Sequence, residues 1–122
     1  MEVKLEMYNE VVVLMPVGNL VASSAEEFKT KIAKLLERRF LQMLIDFTRT
    51  DFMDSSGLGA CVAARKTVSD AGGVMACCGL NDTISKVFRI TRANSKIAVA
   101  ANRQEGVNLV QELALAAREK TS

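Results

Sequence analysis

Polar and apolar residues alternate over the first eight positions of the chain. This period of two is typical of a strand with one buried and one solvated face. After Asn9-Glu10, the segment 11–15 is apolar throughout, which indicates a tight turn into a strand that is buried on both faces and closed by Pro16 and Gly18. The apolar residues of the first strand, which we expect on its buried face, are Val3, Leu5 and Met7.

Apolar residues at helical spacing predict a helix that begins at Ser23-Ser24. Each of these serines has a glutamate three residues on, the pattern of a capping box, and the basic pair Arg38-Arg39 suits the negative end of the helix. A second helix follows the loop 50–59 and should stop at Gly72-Gly73, since glycine is favoured just after a helix. Two more helices are predicted, one opening at residues 81–83 and one over 103–119.

Short apolar runs between these helices predict three further strands, at 41–47, 74–78 and 97–101. Strands that alternate with helices favour right-handed crossovers and a parallel sheet, to which the opening hairpin adds an antiparallel edge. The predicted fold is therefore a single α/β domain with a mixed, mostly parallel sheet, an N-terminal β-hairpin and about four helices. We expect the domain to span residues 1–119 and a frayed tail to occupy 120–122.

The composition narrows the chemistry that the chain can perform. Sixteen basic and fourteen acidic residues leave a net charge of +2, too small to suggest extensive binding of nucleic acid. Histidine is absent, which excludes histidine-based triads, general bases and metal ligands. Cys61, Cys77 and Cys78 stand in apolar surroundings without CxxC spacing, so we predict buried reduced thiols rather than a zinc site or disulfides.

No targeting or membrane segment is recognisable in the sequence. A basic and apolar leader is lacking at the N-terminus, and no apolar run approaches about 18 residues. We therefore expect a cytoplasmic protein with no stable membrane anchor and no direct contact with nucleic acid. Neither a metal site nor a cofactor is predicted.

The loop between the 41–47 strand and the second helix has the most unusual sequence. Its end reads Phe52-Met53-Asp54-Ser55-Ser56-Gly57-Leu58-Gly59. In an α/β sheet such loops lie at the carboxyl ends of the strands, where ligands and partners bind. Asp54, Ser55 and Ser56 all favour the N-cap position of a helix, and capping alone is one explanation of the run.

Several features go beyond a capping role. Gly57 and Gly59 fall in the first turns of the helix, where each costs about 0.5–1 kcal/mol relative to alanine, as expected if something approaches the helix backbone closely. Phe52 and Met53 are apolar in a loop that should face water, which indicates either packing beneath the loop or a docking surface. A phosphate on a serine at this helix N-terminus would be tolerated by the fold.

An enzymatic role for these serines is disfavoured. A serine nucleophile needs a general base within hydrogen-bond reach, and the chain has no histidine, no SxxK pattern after Ser55 or Ser56, and no GxSxG. Walker and GxGxxG phosphate-binding motifs are also missing. An unrelated small α/β enzyme or ligand carrier is therefore the weakest interpretation.

The run from Phe52 to Gly59, with the preceding Leu44-Ile45-Asp46-Phe47, resembles the signature of STAS domains, the family of bacterial anti-sigma-factor antagonists. Residues 71–73 and 79–88 also fall where the family has equivalents, so the resemblance covers nearly the whole chain. It implies a protein–protein switch in which Ser55 is phosphorylated by a partner anti-sigma factor that is itself a serine kinase. The unphosphorylated form binds that kinase and frees a sigma factor, the phosphorylated form lets go, and a phosphatase resets it.

The resemblance implies no catalytic residue in this chain, because ATP and the phosphoryl-transfer machinery belong to the kinase. A second possibility within the same fold is a scaffold or transporter-associated STAS module without a phosphoswitch. The partner-binding residues that the resemblance implies are Asn19, Asp46, Met53, Asp54, Ser56, Gly57, Leu58 and Gly59.

One position departs from the family pattern. Family members usually carry Gly-x-Leu/Ile-Asp after the second strand, whereas this chain has Gly18-Asn19-Leu20-Val21. That loop borders the phosphorylated surface in the family. If the aspartate of the family positions the kinase, Val21 weakens that contact and reduces phosphorylation.

A basic segment begins within the third predicted helix and continues beyond it, because residues 85–104 contain no aspartate or glutamate. It forms either an ordinary solvated face or a contact for an acidic partner or a membrane surface. Its basic residues are Lys86, Arg89, Arg92, Lys96 and Arg103.

Overall fold

The computed structural model describes residues 1–121, with side chains described as far as Glu119. Neighbouring strands pair in parallel except for an antiparallel hairpin at the start of the chain. This confirms the predicted mixed sheet. The strands lie side by side in chain order, as β1 (Glu2–Tyr8), β2 (Val11–Val17), β3 (Gln42–Asp46), β4 (Val74–Cys78) and β5 (Ala98–Ala100).

Within residues 1–121, four helices accompany the sheet, as predicted. A short 3-10 turn, Ala93–Ser95, precedes β5. Ser122 and the side chains of Lys120 and Thr121 lie outside the described residues, so the frayed tail at 120–122 stays a prediction. The helices are α1 (Ala22–Glu37), α2 (Ser55–Asp70), α3 (Asp82–Ile90) and α4 (Arg103–Thr121).

Two apolar layers cover the two faces of the sheet. Alternate residues of a strand point to opposite faces, so Ile45 packs under α1, α2 and α3, whereas Leu44 packs against α4. The three cysteines are buried and free, which confirms the prediction of thiols without disulfides. Burial raises the pKa of the Cys61 thiol to about 12 and also raises that of Cys77, so these thiols stay protonated at neutral pH.

The predicted buried face of β1 is wrong beyond its first residue. Val3 is half-buried against the core, but Leu5 and Met7 are 53% and 51% exposed. The reason is the position of β1 at the edge of the sheet, where it has a neighbouring strand, β2, on one side only. Alternation correctly predicts a strand, but it does not reveal whether the apolar side of that strand is covered.

The first helix also begins earlier than its capping-box pattern predicts. Val21 is the N-cap, and Ser24 lies inside the first turn, where its Oγ accepts the N–H of Val21 at 3.0 Å. The N–H of Ala22 donates instead to the carboxylate of Asp54, at 3.3 Å. A tertiary contact from Asp54 thus adds to the local bond of Ser24, and the N-cap is Val21 rather than one of the predicted serines.

Two strand boundaries also shift inward. The predicted 41–47 and 97–101 strands are shorter in the structure, at Gln42–Asp46 and Ala98–Ala100. The second strand is longer than predicted, because it continues through Pro16, which pairs with Val3 of β1. Proline is accommodated there because the pairing between β2 and β3 already ends at Leu14, so its missing N–H removes no bond to β3.

Candidate functional site

The loops that precede α1 and α2 meet at the carboxyl end of the sheet. The N–H of Leu20 donates to the carbonyl of Phe52 at 3.1 Å, and the N–H of Asp54 donates to the carbonyl of Leu20 at 3.3 Å. These bonds act as a short parallel bridge between the loops. They place Asn19, which is exposed, beside the N-terminus of α2, as the predicted site requires.

Asp54 caps two helices at once. Its Oδ1 accepts the N–H of Gly57 at 2.8 Å, inside the first turn of α2, and its Oδ2 accepts the N–H of Ala22, at the start of α1. Both helix N-termini carry partial positive charge, which a carboxylate stabilises. The prediction that one residue of Asp54-Ser55-Ser56 opens the helix is confirmed, and that residue is Asp54.

Ser55 is the first residue of α2, and Ser56 is the second. Both side chains are exposed, so each hydroxyl is accessible from solvent. Asp54 already accepts the N–H of Gly57, so this bond of the first turn of α2 does not depend on Ser55. The helix dipole still favours negative charge at Ser55. The geometry therefore presents a serine hydroxyl on a rigid helix end.

The two glycines of α2 have different surroundings. A Cβ on Gly57 would lie 2.0 Å from the carbonyl oxygen of Leu20 and 3.0 Å from Cγ of Met53, so only glycine lets the loop before α1 approach the helix. Around Gly59 a Cβ would meet no atom within 4 Å. The close approach predicted for both glycines thus occurs at Gly57, where the approaching group is the backbone of Leu20. Gly59 faces open space.

We expect Gly59→Ala to raise the free energy of unfolding by about 0.5–1 kcal/mol, because alanine is favoured over glycine in a helix and the new methyl group meets nothing. Urea denaturation monitored by circular dichroism measures this change. A loss of stability would show that Gly59 is required by the fold itself.

Four of the eight predicted partner-binding residues are buried, and four reach the surface. Of the two apolar loop residues, Met53 packs in the core beneath the loop and is not part of a docking surface. Its neighbour Phe52 is 46% exposed. The buried residues can shape the surface only from beneath. They are Asp46, Met53, Gly57 and Leu58, and those that reach the surface are Asn19, Asp54, Ser56 and Gly59.

Asp46 lies at the end of β3 in an ionic network that faces away from Ser55. Its Oδ2 accepts Nε of Arg103 at 2.9 Å, its Oδ1 accepts the N–H of Thr48 at 3.0 Å and the hydroxyl of the same residue, and Nη1 of Arg103 also donates to Glu6 at 2.8 Å. Burial alone would raise the pKa of Asp46, but the hydrogen bonds from Thr48 and the ion pair with Arg103 outweigh it, so the net pKa is lowered. Asp46 therefore anchors the start of α4.

Comparison with known proteins decides the family. Residues 2–106 match the model of the STAS domain. The chain belongs to the STAS domain family. Its relatives include the anti-sigma F factor antagonist of Paenibacillus polymyxa, 24% identical over 89 residues that cover 72% of this chain and 76% of the relative. The anti-sigma-B factor antagonist of Listeria monocytogenes is 28% identical over 82 residues, which cover 67% and 72% of the two chains.

Solved structures agree with this assignment. The unphosphorylated form of the anti-sigma factor antagonist SpoIIAA superposes on this STAS domain with a TM-score of 0.74 and 25% identity, covering 91% of this chain and 97% of that one. The phosphorylated form of SpoIIAA, from Bacillus, gives a TM-score of 0.67 at 25% identity and covers 89% and 99% of the two chains. The predicted STAS fold is therefore confirmed.

The position that departs from the STAS pattern lies directly beside the site. Val21 is half-buried at the N-cap of α1, and its side chain makes no capping hydrogen bond. In this STAS domain Asp54 accepts the N–H of Ala22 from across the loop. Helix α1 therefore keeps a carboxylate at its N-terminus even though the residue at its N-cap has none.

The basic segment of this STAS domain is divided by the structure. Arg103 does not belong to the exposed basic surface, because it forms ion pairs with Asp46 and Glu6. The remaining four residues are exposed on α3 and on the turn that follows it, around Ile90, whose side chain is 70% exposed. Contact with an acidic partner or a membrane surface stays a prediction for them. Within residues 1–121, no helix combines the length and the apolar character needed to cross a bilayer.

Sequence reasoning missed two residues that build the site. Leu20 supplies the carbonyl oxygen that touches Gly57 and accepts from Asp54. Arg103 holds Asp46 in place from 57 residues away. For Leu20 the signal in the sequence was Gly57, a glycine in the first turn of a helix. For Arg103 it was a basic residue at the start of a helix, where a cation is unfavourable unless an acidic partner compensates it.

Proposed function

We propose that this STAS domain protein is an anti-sigma-factor antagonist controlled by phosphorylation of Ser55. In its unphosphorylated form it binds an anti-sigma factor that is also a serine kinase, so that a sigma factor is released. The kinase transfers the phosphoryl group of ATP to Ser55 and the complex dissociates, after which a phosphatase restores the binding form. The protein itself acts as substrate and docking surface, not as an enzyme, and we place this cycle in the cytoplasm.

The observation that carries the proposal is the position of Ser55. It is exposed at the first position of α2, beside a helix end whose capping is completed by Asp54 rather than by the serine. A phosphoryl group can therefore be added without removing a bond on which the fold depends. The names of its relatives, which are anti-sigma factor antagonists, and the two forms of SpoIIAA support the same assignment.

The surface around Ser55 has the features of a small docking site. Asn19 and Ser56 offer polar groups, Phe52 is an aromatic side chain with 46% of its area exposed, and Gly59 leaves the helix backbone open to a close neighbour. Aromatic side chains that are partly exposed beside polar groups are enriched in protein interfaces. These residues converge on one rigid patch because the two loops and the two helix ends are bonded together.

Phosphorylation changes this surface mainly through charge. A phosphate adds about −1.5 to −2 charges at neutral pH, directly beside the carboxylate of Asp54. In a desolvated interface that charge has no partner, so binding weakens while the fold stays intact. A tenfold loss of affinity corresponds to only about 1.4 kcal/mol, so no large conformational change is needed.

Incubation of the protein with its partner kinase and ATP should add one phosphate, at Ser55, because this serine is the exposed residue at the first position of α2. Tandem mass spectrometry identifies the position. Ser55→Ala should abolish the modification, and Ser56→Ala, the matched control one residue on, should retain it. Phosphate at another residue, or none with a kinase that demonstrably binds, contradicts the switch and favours a scaffold or transporter-associated role.

Binding to the same kinase measures the effect of negative charge at Ser55. Ser55→Asp should weaken binding in calorimetry by at least tenfold and leave the denaturation curve unchanged. Ser69→Asp, which adds the same charge at an exposed serine near the other end of α2, should bind as the natural chain does. Equal affinity of Ser55→Asp and the natural chain would refute the electrostatic argument.

A further inference from the structure

The outer edge of β1 is open to another strand. β1 runs for seven residues and pairs with β2 in an unbroken register, from Glu2 opposite Val17 to Tyr8 opposite Val11. It contains no proline, glycine or bulge, which are three of the features that protect an edge strand from pairing, and the charged side chains that it does carry are Glu2, Lys4 and Glu6. By contrast β5, at the opposite edge of the sheet, has only three residues. The long, regular edge of this protein is therefore β1.

Apolar side chains project from this edge without being covered. Leu5 and Met7 are 53% and 51% exposed. Their partners across the hairpin, Leu14 and Val12, belong to the core under α1 and α2. The apolar surface of that core thus continues past β2 onto β1, where another strand would shield it from water.

We propose that β1 pairs antiparallel with β1 of a second copy of this chain, with Leu5 opposite Leu5, so that the two sheets become one. In this register Lys4 of each copy lies opposite Glu6 of the other, and Val3 lies opposite Met7. Opposite charges face each other at positions 4 and 6, and apolar side chains at positions 3, 5 and 7, while Glu2 faces Tyr8 at the ends of the strands. Cross-strand pairs of the first two kinds stabilise antiparallel strands.

Neighbouring registers lack this complementarity. A shift of two residues in one direction places Lys4 opposite Lys4, and the same shift in the other direction places Glu6 opposite Glu6. Like charges directly opposite one another are destabilising. A shift of one residue sets apolar residues of one copy against charged residues of the other. The charge pattern of β1 therefore selects both the partner and the register.

The dimer leaves the phosphorylation site free. Ser55 lies in α2, which packs on α1 and β4, whereas β1 is at the edge of the sheet. Each dimer would therefore present two Ser55 surfaces to a partner. A single strand pair buries less than the roughly 1,600 Å² of a standard interface, so we expect a weak, concentration-dependent dimer. This inference does not depend on the phosphoswitch.

A cysteine placed at the two-fold axis tests the register. Opposed residues of antiparallel strands have Cα atoms about 4.5–5.5 Å apart, within the roughly 4.4–6.8 Å that a disulfide spans, so Leu5→Cys should form a covalent dimer under copper-catalysed oxidation by air. Met7→Cys is the matched control, equally exposed, but in this register its two copies lie about 13 Å apart. The natural cysteines are buried and should not react. Equal cross-linking of both variants, or none at position 5, would overturn the proposal.

Charge reversal tests the pairing without any covalent bond. In sedimentation velocity from about 10 µM to about 1 mM, the natural chain should approach twice its 13.3 kDa mass. Lys4→Glu should stay monomeric, and an equimolar mixture with Glu6→Lys should dimerise again, because both cross-strand pairs are then restored. Lys96→Glu, next to the opposite edge strand, should behave as the natural chain does.

Three results would overturn the proposal. They are a natural chain that remains monomeric throughout, a Lys4→Glu variant that dimerises equally well, and assemblies larger than dimers, which would indicate pairing of β1 with β5. Glu6 also contacts Arg103, so circular dichroism must first establish that Glu6→Lys is folded. Should it unfold, Lys4→Glu and the two cysteine variants still decide the outcome.

Discussion

Replacement of Gly57 by alanine should lower the free energy of unfolding by about 2–3 kcal/mol. The added methyl carbon would lie 2.0 Å from the carbonyl oxygen of Leu20, which is backbone and cannot rotate away. The loop before α1 must then move, and with it the bonds from Asp54 to Leu20 and from Ala22 to Asp54. Such overpacking costs more than the roughly 1 kcal/mol that alanine returns through helix propensity.

Gly59→Ala is the matched control for this measurement, since it makes the same chemical change two residues along the same helix into open space. Urea denaturation of the two variants should therefore give shifts of opposite sign relative to the natural chain. Shifts of the same sign and size would show that helix propensity alone governs both positions, and would refute the role assigned to the contact with Leu20.

Asp46→Asn should destabilise the protein by about 2 kcal/mol at pH 7. The change removes the charge that pairs with Arg103 and weakens the acceptor for Thr48, in a side chain that is 4% exposed. Hydrogen bonds to charged groups contribute about 1.5–3 kcal/mol, and a buried ion pair is costly to break from one side. Denaturation at pH 7 measures the loss.

The pH dependence of this difference has a definite sign. The pKa of Asp46 is lowered in the folded protein, so its ionised form contributes stability that is fully present above the unfolded value of about 3.9. That contribution is lost as the pH falls through the folded pKa, and the difference between the natural chain and Asp46→Asn should shrink below about pH 4. A difference that stays constant into acid would contradict the ionic origin.

Glu6→Gln is the control for Asp46→Asn. Glu6 pairs with the same guanidinium, at 2.8 Å, but its side chain is 52% exposed. Exposed ion pairs contribute about 0–1 kcal/mol because water and salt screen them. Glu6→Gln should therefore lose less than half as much stability as Asp46→Asn, and an equal loss would show that burial is not what makes the Asp46 pair important.

Most of the fold could be predicted because local patterns act within a few residues. Gly72-Gly73 after α2, Asn81 before α3 and the short apolar run of β4 all stand where the sequence indicates them. Asn81 caps its helix through its own side chain, which accepts the N–H of Ile84 at 2.9 Å. Signals of this kind are complete within one turn of chain, so they are readable without knowledge of the tertiary structure.

The predictions that failed depend on partners far along the chain. The cap of α1 is shared by Asp54, which accepts the N–H of Ala22 from across the loop, and Ser24, which accepts the N–H of Val21, and neither serine is itself the N-cap. The exposure of Leu5 depends on which strand lies at the edge of the sheet, and alternation does not encode this. The same distinction applies to the site. The position of Ser55 next to its N-cap, Asp54, depends on adjacent residues, whereas the burial of Asp46 depends on Arg103, which is distant in the sequence.

One carboxylate that caps two helices limits how this surface can evolve. A substitution at Asp54 that improved the fit to a new partner would also release Ala22 and Gly57, so the change in recognition would be accompanied by a loss of stability at both helix ends. Asn19 and Phe52 are less restricted, since both reach the surface and neither side chain caps a helix. In a cell with several proteins of this type, we expect the differences that keep their partners apart to accumulate at positions 19 and 52 while Asp54 remains fixed.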